Sequence, residues 1–311
     1  MIKKIKKNKI FIKIKPILVC IYNNLYNIPI NSLIFIDEII NLFNRPKIMT
    51  IEESINYILD NKVSLSRFGD GEMKLIYRSD ISFQKYSSEL SMRLKEVLNS
   101  DTNNHMIGIP NVFGFLNEYT YGHKVYWGKN LLYYRKKWIL NLRKDKIYIN
   151  AFISRCYLAF KDKSKSYYYF KLIKNLWNNK DIIIVEGQYS RLGVGNDLFD
   201  NAKSIKRILC PKEDAYSYYV EILTEIKKID KNSIIFLALG PTATVLAYDL
   251  AKLGYQAIDI GHVDIEYEWF IKKANKKIPI KSKYVAESKD GKCTSDIKDE
   301  QYLNEIISKI I

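Results

Sequence analysis

Cysteine is scarce and scattered. The four in this 311-residue chain, Cys20, Cys156, Cys210 and Cys293, form neither a CxxC pair nor a Cys/His ligand spacing. That excludes a zinc knuckle and a disulfide framework and fits a reducing cytoplasm. Glycine (13) and proline (7) are also few. With no Gly/Ser-rich or Pro-rich linker and no internal repeat, nothing supports a second independent domain. No run reaches the roughly 18 uninterrupted apolar residues of a spanning helix. The start, MIKKIKKNKIFIKIKPILVCIYNNLYNIPI, is basic like that of a signal peptide, but Pro16 and the asparagines break its apolar run. No small-residue cleavage site follows. A cytoplasmic protein without a membrane span is expected.

Acidic residues are outnumbered, 34 against 50 Lys and Arg, for a formal charge of +16. Such an excess points to an anionic partner: nucleic acid, an acidic membrane surface or a phosphorylated small molecule. Compositional drift toward Lys, Asn, Ile and Tyr is an equally good account. The basic residues are spread along the chain without an aromatic RNA-binding signature, so nucleic acid is not the expected partner. Residues 1–46 differ from the rest, with Lys interleaved among Ile and Phe and then a mostly apolar stretch ending at Asn44-Arg45-Pro46. We read them as an N-terminal extension ahead of one domain over residues 47–311. One reading docks the extension on anionic lipid at the inner face of the cell membrane. The simpler one is a solvated arm or a helix packed on the core.

What the chain does have, from Thr50 onward, is alternation. VSLSRF (63–68), HMIGIP (105–110), KIYINAF (146–152), DIIIVEG (181–187), SIKRILC (204–210), SIIFLALG (233–240) and YQAIDIG (255–261) are short and β-branched and read as strands. Between them LSMRLKEVLN, NLLYYRKKWILNLR, YYYFKLIKNLWNN, YSYYVEILTEIKKI and TATVLAYDLAKLG place apolar residues at helical spacing. The expected fold is α/β and Rossmann-like, a mostly parallel sheet with helices on both faces. The tail, SKYVAESKDGKCTSDIKDEQYLNEIISKII, begins as polar loop and closes as a short amphipathic helix.

Ligands of open α/β sheets bind where the strand-to-helix turns cluster, and four turns here carry unusual polar loads. In Arg67-Phe68-Gly69-Asp70-Gly71-Glu72, two carboxylates at i and i+2 could point at one Mg²⁺ or Mn²⁺ ion, with glycines that admit a close ligand. The competing reading is that Asp70 caps the helix that Glu72 enters. In the turn from Glu186 through Ser190, Arg191, Gly193, Gly195, Asn196 and Asp197, backbone amides and one guanidinium suit a phosphate. No third glycine completes a GxGxxG pattern, so a dinucleotide fingerprint is not met. Gly240-Pro241-Thr242 could present a hydroxyl and a helix N-terminus to a phosphate or ribose, or be a plain tight turn. The fourth, GHVDIEYEW, gathers His262, Asp264, Glu266 and Glu268, a set suited to a metal and a general base or else to a solvated acidic face. Arg155 and His105 lie at strand ends and read as structural.

With those turns in hand, the chain resembles the GT-D type glycosyltransferases, a bacterial family first catalogued as a domain of unknown function and associated with adhesin and cell-surface glycan glycosylation. SRFGDGE, EGQYSRLGVGNDLFDNAKSIKRILCP, GPTATVLAYDLAKLGYQAIDIGH and DIEYEW carry the resemblance, which covers residues from about 48 to 280. It implies a Rossmann-like single domain, a nucleotide-sugar donor, typically UDP-linked, a divalent cation (Mn²⁺ or Mg²⁺) and an Asp-x-Glu motif, matched by Asp70 and Glu72 with Arg67 beside it. A glycan or glycoprotein is the implied acceptor.

The resulting expectations are these. Arg67, Gly69, Asp70, Gly71, Glu186, Ser190, Arg191, Gly193, Gly195, Asn196, Asp197, Gly240 and Thr242 bind the donor. Asp70, Glu72 and His262 hold the metal. Asp264, Glu266 or His262 takes the acceptor proton, with Asp264 slightly favoured. Two rival functions use the same features: a metal-dependent phosphohydrolase of a nucleotide, and a non-catalytic basic protein binding nucleic acid or anionic lipid.

Overall fold

The computed structural model describes residues 29–311 except positions 286, 289, 290, 292, 293, 295 and 296. The basic stretch read as a lipid-docking arm lies, for residues 1–28, outside the described residues. From the amino end, α1 (Ile30–Ile40), β1 (Lys47–Ile48), α2 (Ile51–Asn61), β2 (Ser64–Arg67), α3 (Asp70–Ile76) and α4 (Ser88–Asn99) follow one another. Then come β3 (His105–Ile109), α5 (Tyr121–Asn141), β4 (Ile147–Asn150), α6 (Ser166–Lys174), β5 (Asp181–Gly187) and β6 (Ser204–Cys210). The remainder is α7 (Tyr219–Ile226), β7 (Ile234–Ala238), α8 (Pro241–Lys252), β8 (Gln256–Asp259), α9 (Val263–Ile271), α10 (Glu300–Glu305) and β9 (Ile306–Lys309).

The nine strands form one sheet in the order β1-β4-β3-β2-β8-β7-β5-β6-β9. Every pairing is parallel. Alternate residues of the central strands enter two different cores, as the two-residue period of a strand requires. Ile182 and Ile184 of β5 and Ile234 and Phe236 of β7 pack on one face, while Ile183, Val185, Ile235 and Leu237 pack on the other. A sheet apolar on both faces must be covered on both, and that is why these strands read as continuous apolar runs.

Local chemistry sets the helix ends. Thr50 opens α2 with a capping box: its Oγ1 accepts from Glu53 N at 3.1 Å, and Glu53 Oε2 accepts from Thr50 N at 2.8 Å. Lys62 closes it in the left-handed region, φ 50°. Helix α1 lies against α5, where Gly128 admits Ile34; a Cβ at Gly128 would sit 2.4 Å from the Ile34 Cδ1.

Two departures from expectation concern the ends of the sheet. The tail helix stops at Glu305, and Ile306–Lys309 pair with β6 as an edge strand. Its exposure alternates residue by residue, as a β-branched Ile-Ile-Ser-Lys stretch with one face on the sheet would. Strand β1 is only two residues long, too short for any periodicity to show.

Candidate active site

Strand β2 sits at the branch of the sheet. Its chain leads to β3 on one side, whereas the chain leaving its other neighbour, β8, runs on to β9 at the far edge. A crevice opens at such a point, outside the carboxyl ends of the strands. A cavity of about 920 Å³ lies there. Residues just past β2, β3, β4, β5, β6, β7 and β8 all line it, among them Phe68, Pro110, Arg155, Ser190, Lys212, Gly240 and His262, together with Arg67 at the end of β2.

The floor is fixed by buried polar bonds. Ser66 Oγ donates to the Thr244 carbonyl (2.6 Å) and meets His105 Nε2 at 2.7 Å. His105 is thus a core residue, and burial lowers its pKa to about 3, with Lys146 adding to the effect. Arg67 bridges β2 to β8: Nη2 lies 2.8 Å from Asp259 Oδ1, Nε donates to the Asp259 carbonyl at 2.8 Å, and Nη1 reaches Ser154 Oγ at 2.5 Å. Gly261, at φ +41°, is required beside it, since a Cβ there would sit 2.0 Å from Arg67 Nη2.

The two acids of the Asp-x-Glu motif take separate tasks. They occupy the first and third positions of α3, about 200° apart around a helix at 3.6 residues per turn, so they do not converge as an extended turn would have allowed. Asp70 Oδ2 accepts from Lys74 Nζ (2.7 Å) and from the Tyr126 hydroxyl (2.6 Å). Glu72 Oε2 accepts from Gly69 N at 2.6 Å, so Glu72, not Asp70, supplies the capping bond. Glu72 lines the cavity and is half-buried. Desolvation therefore pushes its pKa up to about 7; the bond from Gly69 opposes this, and the charges of Asp259 and Asp70 add to it. Among the described residues Glu72 has no ion-pair partner.

The acids after β8 lie on α9 and diverge. Asp264 is buried and paired with Lys283, whose Nζ lies 2.8 Å from Oδ2, and its Oδ1 accepts from Gly193 N and Asn196 Nδ2, each at 2.8 Å. Asp264 lines the cavity, but both its oxygens are already taken by these donors, so this geometry argues against the favoured base. Glu266 is buried, accepts from Leu158 N at 3.0 Å, and does not line the cavity; burial raises its pKa, against that bond. Glu268 is bonded to Asn196 and Lys272. His262 does line the cavity, with Nε2 3.2 Å from Glu287 Oε1. Burial and the neighbouring Arg155 lower its pKa, against the pull of Glu287. Guanidinium groups beside it disfavour a second cation, so it is not placed as a metal ligand with Asp70 and Glu72.

The 186–197 turn also departs from expectation. Ser190 lines the cavity, as do Gly69, Gly71 and Gly240, but Glu186, Arg191, Gly193, Gly195, Asn196, Asp197 and Thr242 do not. The donors and acceptors of this turn are used to hold its own shape. Glu186 accepts from Arg207 Nη1 (2.6 Å) and Leu192 N (2.8 Å). Arg191 Nη1 donates to the Ser282 carbonyl at 2.6 Å, and Asp197 binds Lys174 and the Tyr267 hydroxyl. Thr242 is buried behind Gly240 and contacts Gln84.

Several lining residues were not singled out by sequence: Phe83, Tyr126, Asp259, Lys277 and Glu287, with Arg155 read as structural. Only Asp259 left a signal, an acid inside the apolar run AIDIG.

Among the described residues no three His, Cys, Asp or Glu side chains are grouped to hold a metal ion. The residues do not build a cation cage by themselves. They fit an ion that shares a carboxylate with phosphate oxygens of a ligand, the usual coordination of Mg²⁺.

The chain matches the family "Glycosyltransferase GT-D fold" over residues 65–288. The "Probable glycosyl transferase Gly" of Streptococcus gordonii is 41% identical over 264 residues, 85% of this chain and 39% of that protein. "Glycosyltransferase GlyD" of Streptococcus pneumoniae serotype 4 is 37% identical over 262 residues, 84% of this chain and 32% of its own length. The chain therefore spans well under half of either curated relative. Among solved structures, "A New Glycosyltransferase (DUF1792) from Streptococcus sanguinis" has a TM-score of 0.82 at 39% identity, covering 86% of this chain and 100% of the other. "The highly conserved domain of unknown function 1792 has a distinct glycosyltransferase fold" has 0.81 at 40% identity, covering 86% and 96%. Agreement of sequence and fold over most of its length makes this chain a member of the GT-D-fold glycosyltransferase family.

Proposed function

We propose that the chain transfers a hexose from a UDP-linked donor to a hydroxyl of a glycan or glycoprotein in cell-surface glycan synthesis, using the cavity above β2 and β8. The observation that carries this reading is the position of Glu72, a carboxyl on the cavity wall with no ion-pair partner among the described residues, whose pKa burial pushes up to about 7. A general base works best when its pKa lies near the working pH. The acceptor oxygen bonds to the anomeric carbon, the bond from that carbon to the diphosphate oxygen breaks, and the nucleoside diphosphate leaves with the electron pair. Glu72 takes the acceptor's proton. Lys212, exposed at the cavity, supplies charge to the diphosphate, and Ser190 lines the same cavity. Asp70 would hold the divalent cation together with the diphosphate. When bound, that ion offsets charge on the leaving group.

A peripheral membrane contact has support in α5, which contains no acidic residue. Tyr126, Lys129, Tyr133, Lys136 and Leu140 recur along it at seven-residue spacing and are all exposed. No helix among the described residues is long and apolar enough to cross a membrane.

The test is thermal unfolding with a panel of nucleotide sugars, with and without Mn²⁺, followed by turnover with and without acceptor glycan. A native-state ligand raises the midpoint by linkage. Acceptor-dependent consumption of one donor supports the proposal. Donor hydrolysis indifferent to acceptor would instead assign a phosphohydrolase, and no stabilisation by any donor would reject both.

A further inference from the structure

Glu287 is a carboxylate of the cavity lining that no strand-end turn supplies. From the segment after α9, it is held by Arg155 from beyond β4 and Lys277 of its own segment, with His262 beside it. Arg155 Nη2 donates to its Oε1 at 2.5 Å and Nη1 to its Oε2 at 3.3 Å. Lys277 Nζ donates to Oε2 at 2.5 Å, and His262 Nε2 lies 3.2 Å from Oε1. A forked guanidinium, an ammonium and an imidazole around two oxygens is the donor set that proteins turn toward phosphate. The two charges and the imidazole hold Glu287 well below the usual carboxylate range although burial opposes this, so it is an anion in the free protein.

The same segment is fixed elsewhere. The Lys283 and Asp264 side chains are 2% and 1% exposed, Ser282 accepts from Arg191, and Tyr284 N donates to the Tyr189 carbonyl at 2.8 Å. By contrast Arg155, Lys277, His262 and Glu287 keep 25–39% of their side-chain surface. Half-exposed pairs of this kind hold their partners more weakly than a fully buried pair does. The Glu287 end can exchange partners while the Lys283 end stays. Other charges face the cluster: Asp70 and Glu266 act on Arg155, and His123 lies close enough for Lys277 and Arg155 to lower its pKa, after burial, to about 4. None of these is bonded to Arg155 and Lys277 as Glu287 is.

We propose that Arg155, Lys277 and His262 form a binding site for a phosphate or diphosphate group of the substrate, occupied in the free protein by Glu287, which the incoming anion displaces. The inference rests on the donor reading above and adds to it the residues that receive the anionic group and the contact it must break. A resident competitor lowers apparent affinity by the fraction of molecules in which the site is open. Removing its charge raises affinity, the opposite of what loss of a mere structural contact would do.

The experiment is calorimetric titration with inorganic pyrophosphate, free of divalent cations, on the wild type, Glu287→Gln and Lys277→Met. Glu287→Gln is expected to bind at least about tenfold tighter and Lys277→Met several-fold weaker. Equal or weaker binding by a folded Glu287→Gln overturns the proposal. If that variant does not fold, Lys277→Met decides alone, since unchanged affinity there overturns it too. Pyrophosphate binding as expected without turnover of any nucleotide sugar would retain this site and reject the transferase reading. Turnover with no gain in Glu287→Gln would do the reverse.

Discussion

Arg67 and Asp259 tie together the carboxyl ends of β2 and β8, the neighbouring strands whose chains diverge to opposite sides of the sheet, through a 2.8 Å contact of Nη2 with Oδ1 and a second bond to the Asp259 carbonyl. Asp259 is 4% exposed, so its partner cannot be replaced by water. Asp259→Asn would leave the guanidinium without its counter-charge, and breaking one side of a buried pair costs about 3–5 kcal/mol. Gly261→Ala is expected to be comparably harmful because the methyl meets Nη2. Urea unfolding checks both, and a loss below 1 kcal/mol in either would mean that the two strand ends are not joined as described.

Glu72 sets a pH dependence of stability that runs against the usual acidic residue. Its carboxyl titrates near 4.5 when unfolded and about 7 when folded. Below 4.5 both states are protonated and the group costs nothing. Between 4.5 and 7 the unfolded state ionises first, so stability falls as pH rises, and above 7 the whole cost is present. A shift of that size corresponds to at most about 3–4 kcal/mol. Glu72→Gln retains an acceptor for Gly69 N and is expected to raise the unfolding midpoint at pH 8 while leaving it unchanged at pH 4. A midpoint at pH 8 equal to or below that of the wild type would remove the buried charge from the account.

The same variant separates proton transfer from cation binding. Loss of a general base lowers turnover by about 10²–10⁴, so Glu72→Gln is expected to fall in that range with the Mn²⁺ concentration for half-activation unchanged. Asp70→Asn should do the opposite, raising the Mn²⁺ requirement. If Glu72→Gln instead shifts the Mn²⁺ requirement, Glu72 is a ligand and the proton goes elsewhere.

How legible was this in the sequence? Seven of the strands were, because each is a short β-branched run and the sheet is buried on both faces, and DIIIVEG and SIKRILC match β5 and β6 residue for residue. The cluster of strand-end turns was legible too, since a parallel sheet leaves its ligand no other edge. Side-chain direction was not. Asp264 and Arg191 sit in the right turns, but one helical register points the first at Lys283 and a left-handed backbone, φ 50°, accompanies the second away from the cavity. Composition says nothing about a register. Glu287 and Lys277 come from an aperiodic segment that only the folded chain brings to Arg155.

The exposed side of α5 gives a prediction independent of the cavity floor. Tyr133 is 78% and Leu140 73% exposed, each with a lysine four residues before it, Lys129 and Lys136. Aromatic and aliphatic groups enter the interface of a bilayer while lysines meet its anionic headgroups, each contributing on the order of 1 kcal/mol. Tyr133→Glu with Leu140→Glu removes two anchors and adds two repelled charges, yet touches no buried residue. Co-sedimentation with vesicles containing anionic phosphatidylglycerol should therefore drop at least about tenfold, with little change in the unfolding midpoint. Binding that persists in the double variant and disappears when residues 2–15 are deleted would move the contact from this helix to the basic N-terminal stretch, and binding lost in neither would leave the membrane without a role.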